Sequence, residues 1–193
     1  MAPDPSHEKR ALRAELRERR RTMTAPERLN AADALTRNLQ DLTAGRDVQS
    51  LATYLSTPDE PPTRDFVHWA HERGIRVLIP VSRDDGLLDW AVYDGSEEED
   101  LLGMPTSGSE LLGPIVINEV DLIVVPAACV DRTGMRMGWG RGYFDKTLGS
   151  MEKCPPVYAV VFDNEFVETV PREVHDQPVD GVVTPSGIVS FKD

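Results

Sequence analysis

The N-terminal part of the chain places apolar residues at helical spacing, with charged residues between them. Residues 7–22 are predicted to form one helix with Ser6 as its N-cap. A second helix is predicted to begin at Thr24, which has capping-box spacing with Glu27, and to end at Gly45. Both helices precede every predicted strand.

Further along, short apolar runs alternate with helical patterns. A strand is predicted at residues 50–56 and a second one at 76–81. Between them a helix is predicted, with Thr63 as its N-cap and its end at Gly74. Such a β-α-β unit implies parallel pairing and a right-handed crossover. The continuous apolar run 121–128 is typical of a buried central strand.

The rest of the chain completes the predicted architecture. Further strands are predicted at 88–93, 157–162 and 181–184. Residues 94–114 are acidic and rich in Gly, Ser and Pro, so they are predicted to form a mobile surface loop. The pattern predicts one α/β domain over 1–193: a three-layer α/β/α sandwich around a mainly parallel, Rossmann-like sheet, with the N-terminal helices 7–44 packing on that sheet.

Composition narrows the function classes. The chain of 193 residues has a formal net charge of -12, which argues against nucleic acid as a partner. No apolar run is long enough to span a bilayer and no signal peptide is readable, so we expect a cytoplasmic protein without membrane contact. The two cysteines, Cys129 and Cys154, show no metal-binding spacing, and we expect reduced thiols with Cys129 in the core.

Residues 134–145, GMRMGWGRGYFD, combine backbone freedom with local positive charge. Gly138, Gly140 and Gly142 let main-chain N–H groups approach a ligand closely, while Arg136 and Arg141 offer planar forks for phosphate or carboxylate oxygens. The segment is neither the dinucleotide fingerprint nor a Walker A loop. It predicts an anion site, although a tight connection that needs small residues is the alternative.

The same segment, R-M-G-W-G-R-G-Y-F-D, resembles the R-L-G-x-G-x-G-Y-Y-D signature of 5-formyltetrahydrofolate cyclo-ligases, also called methenyltetrahydrofolate synthetases. The resemblance runs nearly the whole chain. Lys9 and Arg13 match the K-x-x-x-R of the family's first helix, YLSTPDEPPT at 54–63 matches its first strand, and HDQPVDGVVTPSGIV at 175–189 matches its closing segment.

The resemblance implies a three-layer α/β sandwich and an ATP- and Mg²⁺-dependent ligase. Such an enzyme converts 5-formyltetrahydrofolate to 5,10-methenyltetrahydrofolate, releasing ADP and phosphate. The formyl oxygen is phosphorylated to an iminium phosphate, N10 attacks the formyl carbon, and phosphate leaves. Because phosphoryl transfer depends mostly on positioning and charge stabilisation, the protein must hold two anions and a metal together. The implied partners are ATP and 5-formyltetrahydrofolate, with polyglutamate preference left open, and the expected state is a monomer.

Residue roles follow from the resemblance. It assigns Arg136 and Arg141 as catalytic residues, Asp145 and Asp176 as Mg²⁺ ligands, and Leu55 and Glu60 as folate contacts. The implied ATP contacts are Lys9, Arg13, Arg136, Met137, Gly138, Trp139, Gly140, Arg141, Gly142, Tyr143 and Phe144. Substrate contacts are also implied for Trp139, Gly140, Arg141, Gly142 and Tyr143.

The sequence departs from the family pattern in three places. Arg141 stands where lysine is frequent, Phe144 stands where tyrosine is common, and 102–107 lacks the usual G-I-x-E-P form, so no contact is assigned there. Two alternatives remain open: a non-catalytic folate- or nucleotide-binding regulator, and a sugar-phosphate isomerase or acyl-CoA transferase of similar shape. The carboxylates and loop arginines favour the ligase over the regulator.

Overall fold

The two N-terminal helices are α1 (Pro5–Arg21) and α2 (Ala25–Ala44). The computed structural model describes residues 4–108, 110–153 and 155–191, so Cys154 lies outside the described residues. Asp4 Oδ1 accepts a hydrogen bond from the Ser6 backbone N–H, so Asp4 and not Ser6 caps α1. Thr24 accepts from the Glu27 N–H, which confirms the predicted start of α2.

The remaining helices are α3 (Arg64–Glu72) and α4 (Tyr143–Gly149), with 3₁₀ turns at Pro114–Glu119 and Asp163–Glu165. In chain order the strands are β1 (Ser50–Ala52), β2 (Arg76–Ser82), β3 (Leu88–Val92), β4 (Glu98–Glu99), β5 (Pro105–Thr106), β6 (Glu110–Leu112), β7 (Leu122–Pro126), β8 (Cys129–Asp131), β9 (Arg136–Met137), β10 (Val157–Val160), β11 (Phe166–Val167), β12 (Gly181–Thr184) and β13 (Gly187–Ser190).

Eight strands form the main sheet, in the order β13-β12-β10-β7-β1-β2-β3-β6. The five strands from β12 to β2 are parallel, while β13, β3 and β6 pair antiparallel. Leu51 pairs with Val77 on one side and with Leu122 on the other. This confirms the predicted parallel β-α-β unit and the central position of the 121–128 strand.

Each face of the main sheet is covered by its own layer. Leu35 of α2 and Phe66 of α3 pack on one face, in a core cluster that includes Tyr158. On the other face Trp90 and Ile117 pack with Leu148 of α4. The predicted three-layer sandwich around a mainly parallel sheet is therefore confirmed.

A second, three-stranded sheet in the order β11-β8-β9 extends this core beyond the end of β7. Leu16 of α1 packs against it, in a cluster with Cys129 and Met137. Burial raises the pKa of the Cys129 thiol to about 12, so this cysteine is neutral at physiological pH. The position predicted for Cys129, in the core, is confirmed.

Residues 94–114, predicted as a loop, contain the β4-β5 hairpin and the edge strand β6. The sequence also failed to predict β8, β9, β11 and β13, since strands of two to four residues carry too few positions to show alternation. Within the described residues, no helix is both long and apolar enough to cross a membrane.

Candidate active site

A cleft of about 710 Å³ opens at the carboxyl ends of β1, β2 and β7. In the sheet, β1 lies between β2 and β7. The chain leads from β1 to β2 on one side, and from β7 to β10 on the other side, so the connections diverge at β1 and β7. Open α/β sheets bind ligands at such a switch point, because the diverging connections leave a crevice there. The sheet topology therefore predicts a ligand site here.

Helix α1 contributes a buried lysine to the wall of the cleft. Lys9 Nζ lies 2.7 Å from Asp176 Oδ2 and 2.9 Å from Glu173 Oε1. Burial by itself lowers the pKa of Lys9, but the hydrogen bonds and charges of the two carboxylates outweigh it, so the pKa stands above its ordinary value. Lys9 is thus a cation throughout the physiological range.

One turn further along α1, Arg13 holds the glycine segment against the helix. Its Nε donates to the Gly138 carbonyl at 2.8 Å. A Cβ built on Gly140 would lie 3.4 Å from Arg13 Nη1, and Gly140 has a φ of 103°, a conformation that favours glycine. The segment is therefore fixed to α1 by contacts that depend on its glycines.

Arg136 lies almost wholly buried on the floor of the cleft, with a side chain that is 4% exposed. Its Nε donates to the Pro126 carbonyl at 2.7 Å, and its guanidinium lies 5.6 Å from the Phe144 ring centroid. A Cβ on Gly138 would lie only 3.0 Å from Arg136 Nη2. Packing on every side thus orients the guanidinium before any ligand binds.

Arg141 differs from Arg136 in its surroundings, although both line the cleft. It is exposed, and its guanidinium has no hydrogen bond or ion pair with any of the residues described. Gly142, which follows it and precedes α4, has a φ of 77°. Arg141 is therefore an exposed cation in the lining of the cleft, while Arg136 is a buried one that is held in place.

The two predicted metal ligands come together although they are 31 positions apart in the sequence. Asp145 Oδ1 accepts a hydrogen bond of 3.2 Å from the backbone N–H of Gln177, the neighbour of Asp176. Asp176 is committed to other partners: Lys9 contacts both of its oxygens, and Oδ2 also accepts from the Glu173 N–H at 2.9 Å.

These carboxylates partly fit a magnesium ion. The described residues contain no group of three or more His, Cys, Asp or Glu side chains that could hold a metal by themselves. Mg²⁺ usually keeps several waters and takes one or two carboxylates together with phosphate oxygens, so a full protein cage is not required. Asp145 would have to share its charge with Arg136, whose Nη1 lies 3.8 Å from Asp145 Oδ1, and Asp176 would have to share its oxygens with Lys9.

The residues after β1 form the opposite wall. Glu60 Oε1 accepts hydrogen bonds of 2.9 Å from both the N–H and the hydroxyl of Thr57. Leu55 is buried and also lines the cleft. A carboxylate held in this way beside an apolar surface suits a flat heterocycle that presents N–H groups.

Two predicted aromatic residues also line the cleft, each held by a specific contact. The guanidiniums of Arg17 and Arg20 each lie over the Trp139 ring, at 5.2 and 4.8 Å from its centroid. The Tyr143 hydroxyl donates to the Arg83 carbonyl at 2.6 Å.

Met137 is the predicted site residue whose side chain lies elsewhere. It is 1% exposed, packs in the cluster with Leu16 and does not line the cleft. The reason is strand geometry: successive residues of β9 point to opposite sides, so Arg136 faces the cleft and Met137 the core. The other predicted site residues all line the cleft.

Several cleft residues were missed by sequence reasoning. Asp100, Met104 and Pro105, from the segment predicted as a loop, line the cleft, and Asp100 Oδ2 accepts from the Ser82 N–H at 2.8 Å. Other missed lining residues follow or end strands, or lie on α1: Arg17, Arg20, Tyr54, Pro80 and Ser82. For Tyr54, Pro80 and Ser82 the available signal was their position near the carboxyl ends of predicted strands.

Known proteins resemble the chain over nearly its whole length. The chain matches the 5-formyltetrahydrofolate cyclo-ligase family over residues 5–185. It is 35% identical over 192 residues to 5-formyltetrahydrofolate cyclo-ligase of Mycolicibacterium smegmatis, covering 95% of this chain and 97% of that protein. The mouse protein of the same name is 28% identical over 187 residues, covering 91% and 92%.

Among solved structures, 5,10-methenyltetrahydrofolate synthetase of Aquifex aeolicus superposes with a TM-score of 0.80 at 22% identity, covering 96% of this chain and 93% of that one. That likeness establishes the shared fold. The family match and the 35% identical relative show that this α/β protein is an enzyme of the ligase class. The chain belongs to the 5-formyltetrahydrofolate cyclo-ligase family.

Proposed function

We propose that this enzyme converts 5-formyltetrahydrofolate to 5,10-methenyltetrahydrofolate with Mg²⁺ and ATP, releasing ADP and phosphate. One observation carries the proposal: a single cleft gathers residues from four distant parts of the chain that match the family's motifs. These residues are Lys9 and Arg13, Leu55 and Glu60, the segment 136–145 without Met137, and Asp176.

The reaction needs a better leaving group, because an amide oxygen departs poorly. We propose that the formyl oxygen attacks the γ-phosphorus of ATP and ADP leaves, giving an iminium phosphate. N10 then attacks the formyl carbon, the C–O bond breaks with loss of phosphate, and the N10 proton is released to solvent. The step therefore requires close positioning of two ligands rather than covalent work by a side chain.

The two sides of the cleft would bind different ligands, the pterin on one side and the phosphates of ATP on the other. Glu60 would accept hydrogen bonds from the pterin amino group and N3–H, while Leu55 packs on the ring. On the other side the buried guanidinium of Arg136 and the exposed one of Arg141 would stabilise charge on the transferring phosphoryl group. Lys9 and Arg13 would contact the phosphate chain from α1.

Asp145, with Asp176 as the second carboxylate, would hold Mg²⁺ beside the phosphates. When bound, the ion would neutralise phosphate charge and orient the oxygens. Because Lys9 contacts both oxygens of Asp176 in the free protein, we propose that phosphate binding draws Lys9 away and frees this carboxylate.

The test is direct. Purified enzyme is mixed with 5-formyltetrahydrofolate and Mg-ATP, and the near-ultraviolet band of the methenyl product is followed. Formation of product that stops with EDTA and returns with added Mg²⁺ is expected. Binding of ATP without product would instead support a non-catalytic regulator, and indifference to ATP would reject both.

Replacing Asp145 with asparagine should lower turnover about 10- to 100-fold, because the amide lacks the charge that holds Mg²⁺. The affinity for 5-formyltetrahydrofolate, measured by calorimetry without ATP, should change little. Raising the Mg²⁺ concentration should recover part of the turnover. Equal losses of turnover and folate affinity would contradict the metal assignment.

Replacing Gly140 with alanine should raise the KM for ATP about 10-fold, because a misplacement of about 1 Å in a positioning contact can cost that much or more. The new Cβ would press on Arg13, and the φ of 103° is strained for alanine. Gly74→Ala is the control: its φ is 81°, and nothing lies within 4 Å of its Cβ position. Both variants should lose about 1 kcal/mol of stability, but only Gly140→Ala should change the KM.

A further inference from the structure

The hydroxyl of Tyr54 lacks a hydrogen-bond partner. Four buried side-chain polar atoms are unpaired among the described residues, those of Thr53, Tyr54, Trp90 and Thr147. Of these residues only Tyr54 lines the cleft. An unpaired buried hydroxyl is costly, so its position in a ligand site calls for a partner that the free protein does not supply.

The rest of the residue is held firmly. Tyr54 is 4% exposed, and its ring packs in the core cluster beneath α2 and α3. The hydroxyl of Thr63 donates to the Tyr54 carbonyl at 2.7 Å, which fixes the backbone after β1. The side chain therefore cannot turn away to satisfy its hydroxyl in solvent.

The hydroxyl lies within electrostatic reach of both walls. Burial raises the pKa of Tyr54 well above its usual range, the charge of Glu60 raises it further, and those of Arg20 and Arg136 act against this. The group stays protonated and can donate. Glu60 and Arg136 line the same cleft as Tyr54.

Resting on the proposed function, we infer that Tyr54 is a further substrate-binding residue whose hydroxyl donates a hydrogen bond to the C4 carbonyl of the pterin. Around the edge of 5-formyltetrahydrofolate come the C2 amino group, N3–H, the C4 carbonyl and then N5 with its formyl group. If the C2 amino group and N3–H bind Glu60, the C4 carbonyl faces Tyr54 and the formyl group faces Arg136. The hydroxyl thereby sets the register of the ring relative to the phosphates.

Tyr54→Phe tests the inference because it removes only the hydroxyl. Without ATP, the dissociation constant for 5-formyltetrahydrofolate should rise about 5-fold, the effect of one hydrogen bond. The affinity for Mg-ATP should not change, and the melting temperature of the free variant should be no lower than that of wild type. Unchanged folate affinity, weakened ATP binding or a lower melting temperature would each overturn the inference.

Tyr158→Phe is the matched control. That tyrosine is also buried, but it does not line the cleft, and its hydroxyl has partners, Arg46 Nη2 and Ser190 Oγ, each at 2.7 Å. Its loss should lower the melting temperature and leave folate affinity unchanged. The two variants should therefore show opposite patterns.

Two spectroscopic measurements address the bond itself. With 5-formyltetrahydrofolate labelled with ¹³C at C4, the carbonyl stretch of the bound ligand should lie at lower frequency on wild type than on Tyr54→Phe. In a test that needs no variant, the ¹³Cζ resonance of Tyr54, one of four tyrosine signals in the wild-type protein, should shift with 5-formyltetrahydrofolate and not with Mg-ATP. No difference in either measurement would overturn the inference.

These outcomes also separate the inference from the proposed function. If wild type forms the methenyl product while Tyr54→Phe binds folate equally well, only the role of Tyr54 fails. If wild type forms no product, the proposed function fails and the inference fails with it.

Discussion

Replacing Arg136 with lysine is expected to lower turnover about 100- to 1,000-fold, the usual cost of removing one preorganised donor from a site where charge develops. The substitution keeps the positive charge, but an ammonium cannot reproduce the planar fork. The hydrogen bond from Nε to the Pro126 carbonyl and the packing against Phe144 would also be lost. Single-turnover formation of the methenyl product measures the effect on chemistry directly.

Arg132→Lys provides the control for this variant. Arg132 lies in the turn before the same segment, but it does not line the cleft and instead lies over the Phe166 ring. It should retain nearly full turnover. If Arg136→Lys lowered only the melting temperature, with turnover unchanged in the folded fraction, Arg136 would be a structural residue and the phosphate assignment would be wrong.

Replacing Glu165 with glutamine should destabilise the protein by about 3 to 5 kcal/mol, the usual effect of breaking a buried ion pair. Glu165 and Arg20 have side chains that are 1% and 3% exposed, joined by bonds of 2.7 and 2.9 Å. Glu165 also accepts from the Phe162 N–H, so the pair fastens α1 to the chain after β10. Glutamine would leave the Arg20 charge buried without its counterion. The free energy of unfolding in urea measures the loss.

Glu15→Gln is the matched control, since Glu15 forms an ion pair of 2.6 Å with Arg19 on the exposed face of α1. It should cost less than about 1 kcal/mol. The double variant Arg20→Met/Glu165→Leu should lose less unfolding free energy than the single variants Arg20→Met and Glu165→Leu lose together, because it leaves no unpaired charge. Strict additivity would show that the pair contributes no coupling to the fold.

Much of the fold was predictable because it follows from local pattern. The capping of α2 by Thr24 depends on residues three positions apart, and the apolar runs mark β1, β2 and β7 because those strands are buried on both faces. The cap of α1 was misplaced by two residues, since Asp4 and Ser6 are both good capping residues and the pattern does not choose between them.

The site was predictable as a set of residues but not as an arrangement. The glycine segment indicated an anion site by composition, and the family resemblance supplied the distant members. The sequence could not show that Arg136 faces the cleft while Met137 faces the core. The strand β9 is only two residues long, and its pairing partner is set by tertiary contact. The segment 94–114 likewise showed no sign that Asp100 would reach Ser82.

The sequence by itself determined the long helices and the longer buried strands of the main sheet, the order in which they alternate, and the positive, glycine-rich character of residues 134–145. Those properties depend on neighbours within a few positions, so local propensity and periodicity are sufficient. Only the tertiary structure decided that Lys9 contacts Asp176, that the guanidinium of Arg136 is held rigidly, and that the hydroxyl of Tyr54 is left unpaired. These depend on groups brought together by the crossing of strands and helices, and no local pattern encodes which surfaces will meet.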